Sequence, residues 1–319
     1  MHKIRRVIGL FGLTFLAILL FSACANNFSR NLTNSAELLS SECRIAKHIM
    51  GETCVPNNPQ RIIATGESAL EATLILGLKP TGTTTYAQKS YYLRKRFETS
   101  ASVGLESRQL SLEKILTLKP DLILATDDYG EQQELYNRLS RIAPTVIAKW
   151  WDGHSIRWKE CFQLFAEAFG KTSEAKEIVN TYNQRIAELQ QQMGDRLQNT
   201  VISIIAIYPD RIRLFGKTKS ISSTILEDIG FPRPPSQEEG VDISLESIMD
   251  ADGDIIFLLA QDPEAKLYQQ IINHPLWKQL RAVQAEKVYK VEDSYWRGSG
   301  YIAANLVLDD LFKYLVEEQ

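Results

Sequence analysis

Histidine is scarce in this chain of 319 residues. The four imidazoles, at positions 2, 48, 154 and 274, stand too far apart for metal-ligand spacing, which speaks against a site that grips a bare transition-metal ion. No G-x-S-x-G, H-E-x-x-H, Walker or G-x-G-x-x-G pattern occurs, so the common signatures of hydrolases, zinc peptidases, NTPases and nicotinamide enzymes are missing. The nearest approach to a nucleophile is Ser68 in Thr65-Gly66-Glu67-Ser68-Ala69. It lacks the second glycine of a strand-to-helix elbow and reads as a helix N-cap. Positive charge is not in excess either: 36 Lys and Arg face 39 Asp and Glu, a formal net charge of −3. Nucleic acid is therefore not an expected partner.

What is present begins with a leader. Lys3, Arg5 and Arg6 precede an apolar run at 7–21 that is short for a membrane span, and Phe21-Ser22-Ala23 sets small residues directly before Cys24. This has the form of a bacterial lipobox. It predicts a signal peptide over residues 1–23 and lipidation of Cys24, with a plain secretory signal as the alternative. The working chain then sits outside the cytoplasmic membrane, held to it by lipid, and loss of residues 1–23 takes the formal net charge to −6. Residues 24–42 are polar and aperiodic, as expected of a flexible tether. Cys43 and Cys54 flank a turn at Met50-Gly51-Glu52, so they can be bridged across a hairpin in an oxidising compartment. A metal shared by these two and His48 would lack a second ligand pair. Cys161 lies on an apolar helix face and reads as a buried thiol.

Beyond the hairpin, short apolar runs alternate with helical periods. Strands are expected at 61–65, 79–83 and 144–148, helices at 68–76 and 131–142, and an aromatic and basic loop at 86–97. A long helix is expected at 155–169, stopped by Gly170, and another at 173–193. The rhythm then resumes with strands at 201–207, 211–215 and 287–291, helices at 220–229, 263–273 and 302–316, and a Pro-rich loop at 231–237. Such alternation implies parallel sheet, and the length implies two domains. The division expected is an N-terminal lobe over 43–153, a spine helix over 154–172 that permits only small changes of cleft width, and a C-terminal lobe over 173–319.

One unit occurs twice. Ser111-Leu112-Glu113 leads into Asp121-Leu122-Ile123-Leu124, and Ser244-Leu245-Glu246 leads into Asp254-Ile255-Ile256-Phe257, with six identities in fourteen ungapped positions. Two readings stand. Each Ser caps a helix whose dipole favours the Glu, or two lobes of like construction offer a glutamate each to a two-fold symmetric partner.

Residues 43–65 (CRIAKHIMGETCVPNNPQRIIAT), Gly77-Leu78-Lys79-Pro80, Val103-Gly104 with the run from Leu112 to Leu124, and Ser294-Tyr295-Trp296 resemble the ferric-siderophore substrate-binding lipoproteins of ABC importers, most of all the ferric citrate branch. The likeness covers nearly the whole mature chain. It departs from the family pattern at Glu106 and Leu110, and at Met249-Asp250-Ala251-Asp252-Gly253, where an apolar run ending in Lys-Pro is usual. The resemblance implies an α/β fold of two Rossmann-like lobes joined by a single long helix, the class III periplasmic binding protein fold. It also implies a monomer with a shallow cleft, no cofactor, a preformed ferric chelate as ligand, and docking of Glu113 and Glu246 onto arginines of an ABC permease dimer.

Ferric siderophores are mostly anionic or neutral oxygen chelates, so their site wants guanidinium forks and aromatic faces rather than metal ligands. Loops at the expected strand ends supply Tyr86, Tyr91, Arg94 and Arg108, then Trp150 and Trp151, then Tyr208, Arg211, Arg213, Trp296 and Arg297. Arg211 and Arg213, two apart on a strand, share a face. Asp127-Asp128 either meets a cationic chelate or caps the next helix. The same groups would serve haem propionates, so a haem or cobalamin carrier on this scaffold is the alternative, with an enzyme less favoured.

Overall fold

The structure is a computed structural model, and it describes residues 43–94, 96–97, 101–104, 110–127, 132–262 and 264–317. The signal segment, Cys24, the tether, Glu106, Arg108 and Asp128 lie outside the described residues, as does the side chain of Tyr86.

Strands β1 (Cys43–His48) and β2 (Gly51–Pro56) form a hairpin. Cys43 and Cys54 are disulfide-bonded, as their spacing predicts. The hairpin turn is tied down by Ile49 N–H donating to the Ile147 carbonyl and by the Thr53 hydroxyl donating to the Thr145 carbonyl.

Residues Ala46–Gln319 form one compact unit. Its first sheet consists of β3 (Ile62–Ala64), β4 (Pro80–Thr83), β5 (Ala101–Ser102), β6 (Leu122–Thr126) and β7 (Thr145–Ala148). Among the described residues their order is β5-β4-β3-β6-β7, all parallel. Helices α1 (Glu67–Ile75), α2 (Thr85–Lys89), α3 (Tyr91–Arg94), α4 (Leu112–Thr117) and α5 (Gln132–Leu139) complete this lobe. The aromatic and basic stretch expected as loop is thus two short helices, the first capped by Thr84. Helix α1 is capped by Gly66 at φ 98° rather than by Ser68, which is buried as the second helical residue. A left-handed backbone there leaves the position to glycine.

Helices α6 (Trp158–Phe169) and α7 (Thr172–Met193) follow. Gly170 at φ 70° ends α6, with the Lys171 N–H returning to the Ala166 carbonyl in a Schellman-like turn. The second sheet is built from β8 (Ile202–Ile207), β9 (Ile212–Leu214), β10 (Val241–Ile243), β11 (Ile255–Ala260) and β12 (Val288–Val291), in the order β10-β9-β8-β11-β12. Here β8, β11 and β12 are parallel, while β9 runs antiparallel to both β8 and β10. Its helices are α8 (Ile221–Ile229), α9 (Lys266–Asn273), α10 (Arg281–Gln284), α11 (Asp293–Trp296) and α12 (Tyr301–Phe312). Leu245–Ala251 is a 3-10 helix.

One apolar cluster runs through both lobes. Trp158 and Phe162 of α6, Tyr182 of α7 and Tyr301 of α12 meet edge to face with centroids 4.8–5.9 Å apart. Trp158 Nε1 donates to Thr224 of α8 and the Tyr182 hydroxyl to Asp228, so the polar tips of these rings are paired as well. Helix α6 packs on α1 and β7 of the first lobe, and α7 on α8 and α12 of the second.

Candidate functional site

Parallel strands send all their carboxyl ends the same way, and that end of an α/β sheet is where ligand loops collect. In the first lobe, β3 delivers Glu67, β4 delivers α2 and α3 with Tyr91 and Arg94, β6 delivers Asp127, and β7 delivers Trp150 and Trp151. In the second, β8 delivers Tyr208 and β12 delivers α11 and Arg297. The two sets meet: α3 packs against α11, and Tyr92 lies edge-on to Tyr295 at 6.3 Å.

Tyr208 is the centre of the second-lobe set. The guanidinium of Arg211 lies 4.3 Å from its ring centroid and that of Arg297 5.7 Å, while Arg297 Nη1 donates to its hydroxyl at 3.4 Å. Asp293 holds Arg297 through a two-point contact, Nε to Oδ1 at 2.8 Å and Nη2 to Oδ2 at 2.6 Å. Arg213 lies on β9, and Arg211 directly precedes that strand. Asp242 sits directly across from Arg213 on β10, taking Arg213 at 3.0 Å and standing 3.9 Å from Arg211. Arg211, nearly half exposed, also pairs with Asp210. The first lobe contributes an exposed Tyr91 with the Arg94 guanidinium 5.9 Å from its ring. Trp151 is partly exposed, with Lys219 Nζ 4.6 Å from its ring.

Beneath these groups lies a pair of carboxyls four residues apart on α1. Glu71 is wholly buried, and it accepts the Tyr92 hydroxyl at 2.5 Å and the backbone N–H groups of Ser299, Ile302 and Ala303 at 2.9–3.0 Å. The N-terminus of α12 is an anion site filled by the chain's own carboxylate. Gly298 allows it, because a Cβ there would stand 2.3 Å from the Ala303 Cβ and 2.7 Å from the Tyr92 hydroxyl. Burial pushes the Glu71 carboxyl above its usual range against these donors. Glu67 is pushed up to about 7, chiefly by burial, with the adjacent Glu71 adding to the rise and Ser90, Ser299 and Arg297 opposing it.

Parallel sheets, a long helix and loops gathered where two lobes meet describe a carrier fold, and a family comparison agrees. The profile of the periplasmic binding proteins matches residues 62–295. The chain belongs to the periplasmic binding protein family. This binding protein is 34% identical to the probable siderophore-binding lipoprotein YfiY of Bacillus subtilis, over 95% of this chain and 96% of that one. It is 32% identical to the achromobactin-binding periplasmic protein of Dickeya dadantii, over 79% and 85%. The crystal structure of Staphylococcus aureus SirA complexed with staphyloferrin B superposes with a TM-score of 0.72 at 29% identity, covering 86% of this chain and 99% of SirA.

In the binding protein, Trp296 is not at the surface. It is fully buried, tilted against Phe257 with centroids 4.6 Å apart, and its indole N–H donates to Asp310 at 2.7 Å. Asp127 Oδ1 accepts the Trp150 N–H at 2.6 Å and ties the ends of β6 and β7 together. Cys161 is the buried thiol expected, donating to the Lys149 carbonyl. A groove of about 690 Å³ between the hairpin turn and α6 mixes Lys47, Lys149 and Arg157 with Asp152, Glu160 and Glu167. It lacks the aromatic faces of the sheet-end loops. Glu113 is exposed on α4, which Ser111 caps by accepting the Lys114 N–H. Glu246 is exposed in the 3-10 turn, its carboxyl held below the usual range first by the Ser244 hydroxyl.

Proposed function

We propose that the binding protein captures a ferric siderophore of carboxylate or hydroxamate type and hands it to the permease dimer of an ABC importer. It acts as a monomer, held to the membrane through lipid on Cys24. The observation that carries this reading is the Arg211–Tyr208–Arg297 cluster of the second lobe together with Tyr91 and Arg94 on α3, the first-lobe helix that packs against α11. Ferric ion reaches such a site already wrapped in chelate oxygens, so the protein has to recognise the shell: guanidinium groups for anionic oxygens and phenol or indole faces for the organic frame. Carboxylates fix the arginines in place, which lowers the ordering cost of binding. Glu113 and Glu246 serve the permease rather than the chelate.

Tryptophan fluorescence titration with ferric citrate, a ferric hydroxamate, haem and cobalamin, side by side, tests the reading. Quenching at one-to-one stoichiometry is expected with a ferric chelate, with free ferric ion binding far more weakly. Preference for haem or cobalamin would replace it.

A further inference from the structure

The two Ser-Leu-Glu units share more than their glutamates. Three residues after each glutamate a large apolar side chain faces solvent: Leu116, 60% exposed, and Met249, 38% exposed. Leu116 is the most exposed large apolar side chain among the described residues. Residues three apart lie on one side of an α-turn or a 3-10 turn. Each unit therefore presents a carboxylate and an apolar knob side by side. Ile115 and Ile248, one position earlier, are fully buried and fix the phase of both turns.

Elsewhere the two units have drifted. One is α-helix and the other 3-10, Ser111 caps and Ser244 does not, and Lys114, Thr117 and Lys119 are matched by Ser247, Asp250 and Asp252. A single exposed apolar residue is ordinary. Two at matched positions, beside matched carboxylates, on turns that no longer agree in backbone or charge, call for a shared partner. Both turns also leave the sheets at one end. Ser111 N–H bonds the Val103 carbonyl just past β5, which runs parallel to β4. Ser244 directly follows β10, which two antiparallel pairings return to the direction of β8.

We infer that each docking point is bipartite, and that the permease dimer offers, at two positions related by its two-fold axis, a cationic side chain beside an apolar socket. Leu116 and Met249 fill the sockets. The inference rests on the docking reading above, and the charge supplies orientation while the knob supplies desolvated contact.

The test is uptake of a radiolabelled ferric chelate by cells lacking the native gene and complemented with variants, with chelate affinity and melting temperature measured on each purified protein. L116N/M249N should keep affinity and melting temperature yet lower uptake tenfold or more, with each single change giving a partial loss. The exchange L116M/M249L should transport normally, because bulk rather than identity is read. Normal uptake by L116N/M249N alongside failure of E113A/E246A would overturn the apolar half and leave carboxylate docking standing. Normal uptake by both double variants would overturn docking on this face altogether. Self-association of the wild type that L116N/M249N abolishes would give the face to a second copy and also overturn the inference.

Discussion

The two lobes solve the same packing problem by different routes. Around β3 the first lobe adds β4 and β5 through crossovers, so all its neighbours are parallel, whereas around β8 the second adds β9 by a hairpin and then β10, which is reached through α8 and pairs antiparallel to β9. A crossover hands its loop to one end of the sheet, and the first lobe accordingly presents Tyr91 and Arg94 on short helices. A hairpin strand carries its residues within the ladder, and the second lobe presents Arg213 on β9 and Arg211 just before it, both beside Asp242 of β10. The second lobe thus exposes arginines braced by carboxylates, and the first exposes Tyr91 and Trp151. Where the lobes carry the same part, they build it alike. Asp121 accepts the N–H groups of Gln60 and Arg61, and Asp254 accepts that of Val201, so each aspartate, placed just before a neighbouring strand, pins the start of the central one.

Breaking what the lobes share should have the largest effect. Glu71→Ala leaves the α12 N–H groups and the Tyr92 hydroxyl without their acceptor and should lower stability by about 3 to 5 kcal/mol, read from the denaturant midpoint at constant slope. A loss under about 1 kcal/mol would show that water or Glu67 takes its place.

The braced arginines come next. Arg211→Ala with Arg297→Ala should weaken chelate binding by about 2 to 5 kcal/mol, whereas Arg213→Ala, already committed to Asp242, should change it by less than about 1 kcal/mol. Equal losses in a titration series would dissolve the distinction between Arg211 and Arg213.

The covalent staple belongs to the first lobe. Replacing Cys43 and Cys54 by Ser should lower stability by about 2 to 3 kcal/mol, the loop-closure value for a ring of this length, with chelate affinity unchanged.

The smallest effect is a slope with pH. Glu67 has a folded pKa of about 7, above its unfolded value of 4.5. At this carboxyl the folded state thus binds more protons between those two values, so the contribution of Glu67 to stability is greatest below about pH 4.5 and declines as pH rises to 7. Allowing for its partial exposure, the decline is about 1 to 2 kcal/mol. Glu67→Gln should flatten the curve over that window in thermal melts.

Much of this was legible in the chain. Apolar runs such as those of β6, β8 and β11 and the stop at Gly170 announce an alternating fold of parallel strands, and Cys43 and Cys54 announce their bridge. Position in a loop next to arginine made Trp296 look like a ligand face, but its partner Asp310 lies fourteen residues on, in another helix, beyond any local pattern. Val241–Ile243 escaped because three residues in a polar setting carry no period. Glu67 and Glu71 left a signal that went unused: carboxylates four apart on one face of an otherwise apolar helix. Lys219, against Trp151, left none, since only the meeting of distant loops brings it there.

The joint between the lobes has a consequence for traffic at the membrane. Four interlocked rings and a carboxylate sealed under α12 hold the helices between the lobes together, so small-angle scattering from vacant and laden carrier should give nearly the same outline. A transporter that greeted carriers by shape alone would be jammed by vacant ones. Vacant protein should therefore act as a competitor of its laden form, and the importer must sense the cargo itself before it commits ATP.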